Sequence, residues 1–233
     1  LSVTASFSAA TGTISNIEVI ELAGVADQTV DADDAFAGVA KFVVSGTHGT
    51  ADSVATYTIN DVSSGVELTV STVDTLSTDT AYDDVVTVAL KTDGTADTGT
   101  VNVGSATAAA LVGAINVNDL ETLNLAVGSK DGSVVESLSA TDATSVTMTG
   151  DGNVTLTAVD MKDATSTFNA SAFTGNITAT FSDAQTQTIN TGSGADTVKI
   201  SDAGLSAYDV FDLGDGADTL QILDVAAAVT ATV

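Results

Sequence analysis

The sequence predicts an all-β chain: a β-solenoid of the parallel β-helix or β-roll kind, built from two-strand coils of about 21 residues. Three observations predict it. First, apolar residues recur at a fixed interval: Val146, Phe168, Ile189 and Val210 stand 22, 21 and 21 apart, and Leu156, Ile177, Val198 and Leu220 stand 21, 21 and 22 apart. Second, the residues around each of them alternate, as in Val154-Thr155-Leu156-Thr157 and Ile177-Thr178-Ala179-Thr180. Alternation turns every second side chain inward and leaves Thr, Ser and Asp outside. Third, the interior must be thin. Aromatics are only 4% of the chain and Trp is absent, so Ala, Val and Thr carry the packing although the hydrophobic fraction is 44%.

A strand rises roughly 3.3 Å per residue, and two short strands with two turns use about 20 residues. One such coil cannot bury its apolar face alone, so coils stack into a rod. The beat is steady over residues 117–233, which form one expected unit. Residues 1–116 form a second, irregular β-rich block, either a solenoid stretch bearing insertions or a separate β-sandwich. Asn16-Ile17-Glu18-Val19-Ile20-Glu21-Leu22 and Asp119-Leu120-Glu121-Thr122-Leu123-Asn124-Leu125, 103 residues apart, read as the openings of the two blocks.

Within the first block, Ala40 to Ser45 reads as a strand. Val54 to Ile59 and Val66 to Val70 read as an alternating pair around the Asp61–Gly65 turn, and Val85 to Leu90 pairs with Thr100 to Val103 across Asp93-Gly94. The stretch 73–81 reads as a long polar loop. The alanine-rich stretch Ala106 to Ile115 reads as a helix, and Asp31 to Phe36 as a short helical turn.

Two turns of the second block carry a more specific signal. Residues 192–198 read Gly-Ser-Gly-Ala-Asp-Thr-Val and residues 214–220 read Gly-Asp-Gly-Ala-Asp-Thr-Leu. Both are Gly-x-Gly-x-Asp-x-apolar, and their spacing puts them on one edge of successive coils. Glycines allow positive φ and let carbonyl oxygens turn toward one point. Carbonyls of one turn and carboxylates of the next make the hard oxygen donor set that Ca²⁺ takes. The candidate ligands are Gly192, Gly194, Asp196, Gly214, Gly216 and Asp218, with Asp212 and Asp215 adding charge beside the second turn. Gly150-Asp151-Gly152-Asn153 falls on a comparable edge but lacks the following Asp and reads as a plain turn. Asp209 and Asp224 read as solvated strand ends, and Asp83-Asp84 and Asp31 with Asp33-Asp34 as solvated loop acids that could hold a further Ca²⁺.

These turns resemble the calcium-binding nonapeptide repeat of RTX proteins. Thr191 and Leu213 replace its first glycine and the copies are not in tandem, so one or two isolated sites are expected. Together with Gly152-Asn153-Val154-Thr155-Leu156-Thr157 and Asn169-Ala170-Ser171-Ala172-Phe173-Thr174-Gly175-Asn176, the second block resembles bacterial surface-layer (S-layer) proteins with RTX-like repeats. The resemblance implies a structural, non-enzymatic protein of the bacterial cell surface, outside the cell. It also implies calcium-dependent self-association into a lattice or filament and an anchor on a cell-surface polysaccharide. The alternative is an adhesion or ligand-binding module of a secreted RTX protein.

Charge narrows the partners. The chain has 31 acidic residues against 5 basic ones, all Lys, for a net charge of −26. This excess argues against nucleic acid and anionic membrane. Of the acids, 26 are Asp, which favours turns and metal loops over solvated helices. No apolar run spans a bilayer. The absence of Cys excludes disulfides and thiolate ligands. The only His, His48, reads as an exposed loop residue and lacks the partners a zinc site wants. No nucleophile elbow or phosphate loop is present. The chain opens without Met on a strand-like Leu1–Phe7 and reads as a piece of a longer protein.

Overall fold

Among the described residues, alternating side chains and turn residues produce 22 strands and one helical turn. The computed structural model describes residues 2–3, 16–24, 26–36, 38–48, 54–71, 73–74, 82–162, 165–181, 186–201, 205, 209–223 and 228–232. In chain order these are β1 (Ser2–Val3), β2 (Ile20–Leu22), β3 (Gln28–Asp31), α1 (Ala32–Ala35), β4 (Lys41–Val44), β5 (Thr47–His48), β6 (Thr56–Val62) and β7 (Val66–Val70). Then come β8 (Val73–Asp74), β9 (Val85–Leu90), β10 (Thr98–Val103), β11 (Leu111–Asn116), β12 (Thr122–Val127), β13 (Ser133–Ser139), β14 (Ser145–Gly150) and β15 (Val154–Asp160). The last are β16 (Ser166–Asn169), β17 (Ile177–Phe181), β18 (Gln187–Asn190), β19 (Thr197–Ser201), β20 (Val210–Asp212), β21 (Thr219–Leu223) and β22 (Ala228–Thr232).

The chain is a β-solenoid of about 7 turns with about 23 residues per turn. From β9 to β21 successive strands go alternately to a twelve-stranded and a ten-stranded sheet, and among the described residues every pairing is parallel except the antiparallel β21–β22 hairpin. Register is in step from coil to coil: Thr122, Ser145, Thr167, Thr188 and Val210 are successive partners. Between the sheets lies one continuous apolar core, from Ile20 and Leu22 through Leu68, Val101, Leu123, Val146 and Phe168 to Ile189 and Val198. The N-terminal half is solenoid too, because β4 and β7 continue the ladder into β10 and β12. The two similar openings mark one phase of the coil, with β2 and β12 both in the ten-stranded sheet.

Several local expectations are corrected. The Ala106–Ile115 stretch is not helical. Ser105 Oγ accepts the N–H groups of Thr107 and Ala108, closing a turn, and β11 then fits between parallel neighbours. Stacking overrides alanine's helix preference there. Strands β9 and β10 do not form a hairpin, and neither do β6 and β7. In each case the connection carries the chain from the twelve-stranded sheet to the other one. The Asp61–Gly65 turn is present, with positive φ at both ends (56° and 90°). Helix α1 matches the expected turn. His48 lies in β5, where it is paired with Asp74, rather than in a loop. Most of Leu1–Phe7 and of 73–81, together with Asp163, Asp183, Tyr208 and Asp224, lie outside the described residues.

The apolar columns shift in two places. Phe211, not Val210, pairs with Ile189, and Val210 faces out at 53% exposure. Ala179, not Ile177, joins Leu156 to Val198, while Ile177 stands under Asp196.

Tyr57 shows how tightly the first coils close. Its ring is buried and its hydroxyl donates to the Gly24 carbonyl at 2.7 Å. Burial, then the nearby Asp84 carboxylate, pushes its pKa up to about 12. The unfolded chain releases that proton near pH 10, whereas the folded chain keeps it. Stability should therefore fall as pH rises from about 10 to about 12. Denaturant titrations over that range on the protein and on Tyr57→Phe would check this, with the variant showing the shallower decline.

Candidate functional site: the stacked glycine–aspartate corner

The corner at which the chain passes from the ten-stranded to the twelve-stranded sheet contains both Gly-x-Gly-x-Asp turns, one directly above the other. Asp196 and Asp218 are register partners in effect, since Thr197 pairs with Thr219 beside them. Both are buried, at 1% and 3% exposure. The Asp196 N–H donates to Asp218 Oδ1 at 2.9 Å, and the Ile177 N–H donates to Asp196 Oδ1 at 2.8 Å. Each carboxylate thus holds a main-chain donor of the coil before it. Asp196 stands in the inward column of Val154 and Ile177, a core position occupied by a carboxylate.

The same device recurs along the rod. Ser133 Oγ accepts the Ala110 N–H at 3.1 Å, and Asp84 Oδ1 accepts the Ala55 N–H at 2.9 Å. Asp84 is therefore a buried corner residue rather than a solvated loop acid. A second ladder runs the opposite way on the outer side. Asp131, Asn153 and Asn176 each accept, through a side-chain oxygen, an N–H of the following coil, at 2.9, 2.8 and 2.7 Å. Sequence reasoning missed these three, although an Asp or Asn recurs there at coil spacing. Asp209 is likewise a ladder residue and not a solvated strand end, because Oδ1 accepts the Gln187 N–H at 2.8 Å.

The glycines of the motif have a stacking role. A Cβ on Gly192 would lie 1.8 Å from the Phe173 carbonyl oxygen, and one on Gly194 would lie 2.2 Å from that of Gly175. One on Gly216 would lie 1.9 Å from the Gly194 oxygen, and Gly214 and Gly216 also have positive φ, at 74° and 140°. Gly152 and Gly175 are blocked in the same way by the coil below, although their turns lack the motif's Asp. The carbonyls of Gly192 and Gly194 accordingly point into the gap between the two turns.

The eight predicted ligands fall into two groups. Asp196 and Asp218 are buried with Gly192 and Gly194, whereas Gly214 and Gly216 are exposed and line a recess of about 390 Å³ that Asp218 shares with Asp212. Asp212 and Asp215 are exposed on the outer rim of the corner, where they line a recess of about 420 Å³ with Gly192 and Ser193. Asp212 Oδ1 accepts the Gly214 N–H at 3.2 Å, and the Asp215 N–H donates to the Gly192 carbonyl at 3.0 Å. Among the described residues, no three His, Asp or Glu side chains converge as a carboxylate cage. A cation here would draw on main-chain carbonyls and on one particular atom. Asp196 Oδ2 is buried and accepts no hydrogen bond. A buried carboxylate oxygen without a partner is costly, and a hard cation is one group that would satisfy it. The residues present fit Ca²⁺ in this limited sense, with Asp196 as the charged ligand.

The first-block acids are arranged differently. Asp33 pairs with Lys91, and the Asp61 carboxyl lies near that of Asp31. Partial desolvation, then the Asp31 charge, raises the Asp61 pKa. The side chain of Asp34 lies outside the described residues.

No family model, no curated protein and no solved structure matches this chain.

Proposed function

We propose that the chain is a structural cell-surface protein, part of a calcium-stabilised S-layer lattice outside a bacterial cell. Three features support the reading: a rod of parallel coils, a net charge of −26 that divalent cations would offset, and the stacked turn pair. The observation that carries it is the buried, unpartnered Asp196 Oδ2 beneath the second Gly-x-Gly-x-Asp turn. Calcium bound there would tie two coils together and link metal binding to folding. The reading assigns no reaction to the chain.

The test separates the metal from the hydrogen-bond ladder. Asp196→Asn keeps an oxygen for the Ile177 N–H and removes the charge. Calcium at a hundred times its dissociation constant should stabilise the natural protein by about 2.7 kcal/mol. Asp196→Asn should melt at least as high as the natural protein in chelator and lose most of the calcium response. Identical melting of the natural protein in calcium and in chelator would sink the metal reading. Electron microscopy with calcium then tests the lattice, an ordered sheet being the expected result.

A further inference from the structure

The acids are absent from the middle of one face, between Glu67, the register partner of Thr100, and Asp212, the register partner of Asn190. Outward positions of the ten-stranded sheet from β10 to β18 form two ranks that pass from coil to coil in register. One rank is Thr98, Thr122, Ser145, Thr167 and Thr188. The other is Thr100, Asn124, Thr147, Asn169 and Asn190. All of them are half-buried or exposed. These five strands contain no charged residue, in a chain with 31 acids and 5 lysines. The opposite sheet carries Glu136, Asp160 and Lys199 at partly exposed positions of its strands. Further carboxylates crowd the corners, where burial and the charges of Asp119, Asp142, Glu121 and Asp97 raise the pKa of Asp93.

We propose that this hydroxyl–amide face is the surface by which one copy of the chain lies against the same face of a second copy. The inference rests on the lattice reading and names the contact that the lattice would use. Two molecules of charge −26 repel, and this face brings the fewest carboxylates together. It is also self-complementary. A Thr hydroxyl and an Asn carboxamide each donate and accept, so identical ranks related by a two-fold axis can pair. A charged polymer finds no counter-charge here, and the ranks hold no aromatic ring for a sugar to stack on.

Size sets the strength. Five strands at roughly 4.8 Å spacing, each presenting two or three outward residues, make a patch of roughly 400 Å². A stable pair buries about 800 Å² per partner. A single contact is therefore weak, and the face acts when many copies are held in an array.

The chain has no cysteine, so introduced thiols report contacts without background. Thr147→Cys, on the central strand β14, is compared with Thr155→Cys on the opposite sheet under mild oxidation in calcium. We expect disulfide-linked pairs at least five-fold more abundant for Thr147→Cys. Equal yields, or more from Thr155→Cys, overturn the proposal. A second variant, Asn124→Asp with Thr147→Asp, places two carboxylates per copy on the face. It should abolish ordered assembly while leaving the melting temperature within a few degrees of the natural protein. If the natural protein and this variant both form sheets, the face is wrong and the lattice reading stands. If the natural protein never forms sheets, the lattice reading fails, and the cysteine comparison still decides the face. Retention on an insoluble neutral glycan that the double variant loses, without Thr147→Cys cross-links, would assign the face to a different partner and overturn the proposal.

Discussion

Replacing Phe168 by alanine is expected to cost about 3 to 5 kcal/mol, the range for emptying a buried aromatic site. Phe168 is 1% exposed and sits in the column between Val146 and Ile189. Its ring meets that of Phe181, from the opposite sheet, edge to face at a centroid distance of 5.2 Å. The upper end of the range applies because the walls cannot close in. The coils before and after are pinned by parallel backbone ladders, so the cavity persists instead of collapsing. For a chain of this size each kcal/mol moves the melting temperature by about 2 to 4 °C, giving a drop of roughly 10 °C. A solenoid need not unfold all at once, since each coil touches only its neighbours. The loss should therefore centre on the coils holding β14 to β19, and hydrogen exchange there should speed up more than in β10 to β12. Thr167→Ala, next to it on the outer face, should change stability by no more than about 0.5 kcal/mol. Equal effects of the two substitutions would mean that the column does not carry the core.

The physics of stacking explains what the sequence shows and what it hides. Coil spacing, alternation and the shared edge of the two turns follow from a repeat whose coils must superimpose, so Asp196 and Asp218 meet where their spacing places them. A column is harder to place to the residue. Val210 and Phe211 are both apolar neighbours, and only pairing with Ile189 shows that Phe211 enters the core. Ile177 looks like a core residue of the Leu156 column, yet the short Ala179 fills that place, and a carboxylate continues the Ile177 column. An Asp in a core column looks misplaced until its backbone donor is known. Composition misleads at Ala106 to Ile115, where local preference and tertiary stacking disagree and stacking wins. The irregular first block hid its register because its ladder partners are unevenly spaced: Phe42, Leu68 and Val101 are successive partners, 26 and then 33 residues apart.

Gly192→Ala is expected to destabilise the rod by about 3 kcal/mol, the upper end for forcing atoms into a packed interior. The added methyl would lie 1.8 Å from the Phe173 carbonyl oxygen and 3.0 Å from that of Ala170. Both obstacles are backbone, and the Ser193 N–H holds the first of them at 3.1 Å, so no side chain can swing away. Relief comes only by parting two coils, which also strains the hydrogen bonds of β18 with β16. Gly132→Ala is the informative comparison. Its φ is +95°, but nothing lies within 4 Å of the new methyl. Conformational strain of about 1 to 2 kcal/mol is all that it should show. The pair of variants thus separates close approach from backbone handedness. Measured in chelator as well as in calcium, Gly192→Ala also divides two meanings of the motif. If the glycine serves stacking, the loss is the same size in both conditions. A loss confined to calcium would mean that the glycine exists to shape a metal site, and the coil-to-coil clash would then not be its reason. Gly152 and Gly175, blocked by backbone in turns without the motif's Asp, favour the first result. On that result the glycines belong to the rod, and the burden of holding a cation falls on Asp196 and its neighbouring carbonyls alone.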